Sequence, residues 1–299
     1  MRRLSSLLAL VPLLGLGELA LHQYFAHRAP DAADYAALAP ELLKLKQRGV
    51  PVVVAPDWAE PLLRQAAPEA FPLNELARAD DQAFTAFLEV SLLGDSAPEL
   101  AKFPIETQQQ LGPFRVARRR NSVAQPTVFD FVTAVEQGRV EVWSEFEAQR
   151  SDCTFVEKRT ETGGLHGHVA YPARRYECDN GRFVAVTLID DQDYRARRCI
   201  LVQPPDSGSV VLRFDAVPAS ARLVGFIGAS YFLERDHGEP QVSLTLRAAE
   251  QSLVRHDAVA AQGWARFEAP RPPDSASIEV RLERLTRPSA DFCFALEAR

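Results

Sequence analysis

The series R-C-I-L-V (198–202), V-V-L-R-F (210–214), A-R-L-V-G-F-I (221–227), Q-V-S-L-T-L-R (241–247), S-I-E-V-R-L (277–282) and D-F-C-F-A-L (291–296) decides the fold. In Q-V-S-L-T-L-R, Val242, Leu244 and Leu246 point one way while Ser243, Thr245 and Arg247 point the other. That period of two marks a strand with one buried face. Turn-rich breaks (Q-P-P-D-S-G-S, D-H-G-E-P, R-P-P-D-S) separate the segments at the spacing of a sandwich or barrel. The expectation is a β-sandwich.

Four cysteines lie at 153, 178, 199 and 293, none as C-x-x-C. An even number behind an export-like N-terminus reads as two disulfides. Of the three connectivities we expect Cys153–Cys178, stapling a Gly-rich loop, and Cys199–Cys293, joining early and final strands that are neighbours in jelly rolls. Residues 1–29 carry Arg2 and Arg3, an apolar run from Leu4 to Leu16, and Gly15-Leu16-Gly17 at a cleavage-site position. Two readings stay open: a cleaved signal peptide or, with the run continued to Leu21, an uncleaved membrane anchor. Either places the rest of the chain outside the cytoplasm, periplasmic or secreted, or tethered in the inner membrane. The 299 residues carry a net charge of −6, with 30 Arg and only 4 Lys, scattered rather than striped. A nucleic-acid partner is not supported.

Between residues 30 and 125, Tyr35, Leu38, Leu42 and Leu45 form one helical stripe over 35–47. P-V-V-V-A (51–55) is a buried strand, and Asp57 three residues before Glu60 is a capping-box pattern for a helix to about Ala67. Phe71–Leu73 reads as a stub of strand and a further helix starts near Leu73 or Asp80; F-T-A-F-L-E-V-S-L-L (84–93) ends in a second strand, Pro98–Phe103 is a short helix, and Phe114–Arg118 is a third strand. This order predicts a small parallel α/β domain. Pro56-Asp57-Trp58 fills the turn where a dinucleotide site needs glycines, which disfavours that ligand. R-V-A-R-R-R-N-S-V-A-Q-P (115–126) marks a boundary. A helix over Thr127–Gln137 then leads to Val140-Glu141-Val142-Trp143 and an all-β domain, 126–299.

Chemistry-bearing residues are few. G-G-L-H-G-H (163–168) places His166 and His168 in a loop. I-D-D-Q-D (189–193) offers Asp190, Asp191 and Asp193 as oxygen ligands for a structural calcium ion, beside the simpler reading of a solvated turn. G-A-S-Y-F (228–232) lacks the closing glycine of a nucleophile elbow. No catalytic residue and no other cofactor is singled out. Tyr231, Arg235, His237 and Trp264 form the candidate ligand site, since sugars stack apolar faces on rings while charged groups hold hydroxyls. The competing reading makes Trp264 a core plug beside Phe267.

Two resemblances add to this. V-P-V-V-V-A-P-D-W-A-E-P-L-L-R, L-E-V-S-L-L-G and G-P-F-R-V, within 35–120, look like the extracytoplasmic α/β tail of polytopic bacterial glycosyltransferases. The catalytic part of that family is missing here, so the resemblance implies only an envelope setting linked to glycans. S-Y-F-L-E-R-D-H-G-E-P-Q-V-S-L-T-L, Q-G-W-A-R-F-E-A-P, S-I-E-V-R-L and D-F-C-F-A-L resemble a galactose-binding-like jelly roll over about 183–299. There a G-W-x-x-F strand follows the inner hairpin and the last strand returns beside the first. The sequence thus reads as a non-catalytic extracytoplasmic envelope protein that binds carbohydrate or another envelope component. The alternatives are part of a glycan-processing enzyme system, with a site between the domains, and a purely structural protein.

Overall fold

The computed structural model describes residues 12, 14–23, 29–147, 149–160, 171–191, 195–220, 222–229, 241–259, 262–272, 276–286 and 292–299. They form two compact units, 1–72 with 86–121 and 73–85 with 122–299. Among the described residues no helix is long and apolar enough to cross a membrane.

In the first unit, helix α1 (Ala32–Leu45) starts ahead of the expected Tyr35. The reason is a capping box. Asp31 accepts from the N–H groups of Ala33 and Asp34 at 2.8 and 3.0 Å, and its own N–H donates to Asp34 at 3.0 Å. β1 (Val52–Ala55) pairs parallel with β2 (Ala86–Leu92) across α2 (Glu60–Ala66). The capping box expected at Asp57 does not form, because Asp57 opens a 3-10 turn with no side-chain cap.

β3 (Ile105–Leu111) and β4 (Phe114–Arg120) make an antiparallel hairpin, and β4 runs antiparallel to β2, giving the order β1-β2-β4-β3. This corrects the expected parallel layer. Two residues, Gly112 and Pro113, link β3 to β4, far too few for a crossover. β3 is exposed from Ile105 to Gln110, so no apolar alternation announced it. This strand order lends no support to the glycosyltransferase-tail resemblance. Glu89, fully buried in β2, accepts from Ser96 Oγ (2.7 Å), Ala97 N (2.8 Å) and Arg119 Nε (2.7 Å). Burial pushes its pKa up, but these bonds and the Arg119 charge outweigh burial and hold it below the usual carboxylate value.

The second unit is a sandwich. One sheet runs β16 (Ala265–Pro270), β13 (Arg222–Ala229), β18 (Phe292–Ala298), β11 (Ala196–Val202), β10 (Phe183–Asp190), β9 (Arg174–Glu177), β8 (Thr154–Glu157), with β5 (Phe129–Asp130) also paired to β18. The other runs β15 (Gln251–Val259), β14 (Gln241–Ala248), β17 (Ile278–Arg284), β12 (Ser209–Phe214), β6 (Glu141–Phe146), β7 (Gln149–Asp152). Ile200, Ile227 and Phe294 from the first sheet meet Leu212, Leu244, Val280 and Leu282 from the second in one core. β18 lies beside β11, and β16 follows the β14–β15 hairpin, as in the galactose-binding-like pattern. The expected helix over 127–137 is shorter, α4 (Phe131–Glu136). Its first residues are drawn into the sheet as β5, and Asp130 caps it by accepting from Val132 N at 2.9 Å.

Residues 73–85 belong to this second unit. Leu73–Leu76 is a short helix, α3, at one of the two starts expected for a helix here, while Phe71 and Pro72 form no strand. Ala77 O accepts from Arg198 N at 2.9 Å, so this segment continues the hydrogen bonding of β11 beyond its pairing with β18.

Both expected disulfides form, Cys153–Cys178 and Cys199–Cys293, closing sequence separations of 25 and 94 residues. Replacing both cysteines of a pair by serine should cost roughly 4–5 kcal/mol for 199/293 and roughly 3–4 kcal/mol for 153/178 on the loop-length account. Urea midpoints of the two double variants check this. A larger loss for the 153/178 pair would contradict it.

Candidate functional site

The site is set by the alternation in V-E-V-W-S-E-F. β6 pairs Val142 with Leu212 and Trp143 with Val211. Val142 and Leu212 lie in the core, so Glu141, Trp143 and Glu145 face outward. The register carries this face across the sheet, to Ser209, Val211 and Arg213, then Glu279, Arg281 and Glu283, then Ser243, Thr245 and Arg247. Hydroxyls, carboxylates and guanidinium groups alternate on it around a single indole. On this face Trp143, Ser209, Val211 and Ser243 are themselves buried, while Glu145 and Arg281 are partly exposed and Arg150 is exposed.

Within the cluster, Trp143 Nε1 donates to Glu145 Oε1 at 2.7 Å, and Arg281 Nη1 meets Glu145 Oε2 at 2.7 Å. The same Arg281 nitrogen donates to Ser209 Oγ at 2.7 Å. Burial pushes the Glu145 pKa up, but bonds from Arg281 and Trp143 and the charges of Arg281 and Arg150 hold it below the ordinary value. Glu145 is therefore a fixed, ionised acceptor. Gly208 makes the geometry possible. Its φ is +93°, and a Cβ there would sit 1.9 Å from the Glu145 carbonyl oxygen, so only glycine lets β12 start against β6.

Arg150 of β7 covers the indole, its guanidinium carbon 4.0 Å from the ring centroid. It is held by Asp152 at 2.6 Å and Glu141 at 3.8 Å, all three side chains about half exposed or more. Such exposed contacts are each worth about 1 kcal/mol or less, so Arg150 is only weakly held on the ring.

Of the residues singled out from sequence, Trp264, Asp190 and Asp191 are described, and none of the three belongs to this cluster. Trp264 is partly buried: its Nε1 donates to Ala79 O at 3.2 Å and its ring stacks on Phe226 with centroids 6.1 Å apart. Arg197 stands 5.9 Å from its centroid. These are internal contacts of the second unit. Tyr231, Arg235, His237, His166, His168 and Asp193 lie outside the described residues. Asp190 ends β10, exposed, while Asp191 is buried and accepts from Arg195 N at 2.9 Å and Arg197 Nε at 2.8 Å. The Asp191 carboxylate is thus occupied by protein donors, and among the described residues no group of three metal-ligating side chains comes together. Trp143, Glu145, Arg281 and Ser209 were not marked by the sequence reading. Their alternation was visible, but the pairing that gathers three distant strands was not.

No family model matches the chain, and no curated protein matches it. Among solved structures it is similar to the CBM51-2 and INT domains of Clostridium perfringens ZmpB, at TM-score 0.32 and 8% identity over 69% of this chain and 42% of that one. It is also similar to TmCBM61 solved with β-1,4-galactotriose, at TM-score 0.25 and 12% identity over 38% of this chain and 82% of that one. The xylan-binding domain of CBM 22 aligns at TM-score 0.26 and 13% identity, over 38% and 81%. These neighbours are carbohydrate-binding modules. The chain spans less than half the length of the first.

Trp264→Phe keeps the stack on Phe226 but loses the bond to Ala79, and should cost about 0.5–1.5 kcal/mol. Trp264→Ala should cost about 3–5 kcal/mol. Denaturant unfolding of both variants checks the internal role of this residue.

Proposed function

We propose that the second unit is a non-catalytic carbohydrate-binding module whose ligand lies on the outward face of the six-stranded sheet. The observation that carries this is the cluster of one indole, one fixed carboxylate, one guanidinium and one hydroxyl on the outward side of the sheet, its carboxylate and guanidinium partly exposed. Saccharides offer C–H faces to aromatic rings and hydroxyls to such donors and acceptors. The strip from β6 to β14 spans three strand intervals, about 14 Å at ordinary spacing, which suits an oligosaccharide better than a single ring.

In this reading the sugar takes the place of Arg150 over Trp143. Glu145 accepts from its hydroxyls and Arg281 donates to them, with the buried Ser209 holding Arg281 in place. An ionised, doubly hydrogen-bonded Glu145 is a poor proton donor, which supports binding over hydrolysis. Two disulfides suit an oxidising compartment, which supports an extracytoplasmic place in or near the cell envelope.

A glycan array followed by calorimetric titration of the full chain tests the proposal. Saturable binding is expected, with Trp143→Ala weakening it at least about tenfold, the loss of roughly 1.4 kcal/mol of contact. Arg150→Ala should bind as tightly or up to about tenfold tighter, because no side chain need be displaced. Trp264→Phe should leave binding unchanged. Because Trp143 is itself buried, Trp143→Leu with a checked melting curve serves as the companion variant. No retained glycan, or full affinity in both Trp143 variants, would overturn the proposal.

A further inference from the structure

His256 sits where the open edges of the two sheets meet. It pairs with Leu244, whose side chain lies in the core, so the imidazole points inward while Arg255 and Asp257 point outward. The ring lies on Phe267 of β16, centroids 5.3 Å apart and planes at 20°. Phe267 in turn covers Gly225 of β13, where a Cβ would come within 2.1 Å of the ring. Gly225, Phe267 and His256 thus form a stack that crosses from one sheet to the other, and β15 and β16 are both edge strands. The Nε2 atom of His256 is buried and has no hydrogen-bond partner.

The charged groups on the surrounding strands are Arg247 of β14, Arg255 and Asp257 of β15, Arg266 and Glu268 of β16, and Arg222 of β13. They are taken up among themselves and with Glu250: Arg255–Asp257 at 3.1 Å, Arg222–Glu268 at 3.3 Å, Arg247–Glu250 at 3.7 Å, and Arg266 with Glu268. By register Arg247, Arg255, Asp257, Arg266 and Glu268 lie on the outward faces, so among the described residues these groups offer a proton on Nε2 no acceptor inside the seam.

We propose that His256 is an acid-sensitive latch: neutral, it closes the seam between β15 and β16, and protonated, it releases the β15 edge locally. Burial lowers the pKa of the imidazole below the histidine value, while the nearby Asp257 charge pulls the other way. The opened strand therefore takes up the proton first. The latch is at full strength above the unfolded value, near 6.5, and weakens as pH falls through that value toward the folded one. Cys199–Cys293 ties strands of the other sheet, and Cys153–Cys178 lies by β7, at the edge of the six-stranded sheet opposite β15, so the opening need not spread to either.

Hydrogen exchange of the full chain at pH 7.5 and pH 5.0, corrected for intrinsic rates, tests this. Protection of 251–259 should fall at acid pH by up to about thirtyfold, the limit set by an opened-state value near 6.5 and a test at pH 5.0. Strand 278–284 should keep its protection. His256→Phe should abolish the acid loss at 251–259. If that variant does not fold, His256→Gln, neutral throughout, must show the same flat response. An equal acid loss in the folded variant, or a loss shared equally by 278–284, would overturn the latch.

Discussion

Asp80 anchors residues 77–82 on one face of the sandwich. Its carboxylate accepts from Arg299 Nη2 at 2.7 Å and lies 3.8 Å from Arg266. Around it, Trp264 Nε1 and Arg197 both donate to Ala79 O, and Arg266 donates to Gln82. These bonds lay residues 77–82 on the outward side of the disulfide-bonded sheet, where Phe226 and Trp264 stack. That face is occupied by the protein's own chain. The six-stranded sheet turns polar rows outward, with Glu145, Thr245 and Arg281 partly exposed there.

The same logic accounts for the 30 arginines against 4 lysines. Arg119, Arg197, Arg198 and Arg299 each act as planar clamps that satisfy several acceptors at once. Arg198, for example, reaches Asp130, Thr133 and Glu136 around α4. A lysine point charge cannot hold three acceptors in one plane. Buried carboxylates such as Glu89 and Asp191 are tolerated because each is fully supplied with donors. Removing one clamp would leave a buried charge without its partner, a heavier loss than an exposed ion pair could cause.

Much of the sandwich could be read from sequence because its strands alternate cleanly. Q-V-S-L-T-L-R became β14 with the expected inward side, and the two cysteine pairs joined as spacing and compartment suggested. Less could be read where residue type and burial part company. β3 is polar and exposed, and β15 (Gln251–Val259) is largely polar and lies at an edge, so neither carries an apolar period. The direction of β4 depended on a two-residue turn rather than on its own residues. The cluster at Trp143 was hidden for a different reason. Glu145, Ser209 and Arg281 become neighbours only through the registers of β6, β12 and β17, which no local pattern encodes.

The central claim is that a saccharide docks at Trp143 on the six-stranded sheet. The chain has three tryptophans: Trp58 exposed in the first unit, Trp264 bonded to Ala79, and Trp143 under Arg150. The indole N–H region of the proton–nitrogen NMR spectrum therefore reports all three places at once. During titration with an oligosaccharide retained on the array, the account expects the Trp143 signal, assigned from Trp143→Phe, to move in saturable fashion while the Trp264 and Trp58 signals stay still. A ligand that moves the Trp264 signal and leaves Trp143 in place would contradict it.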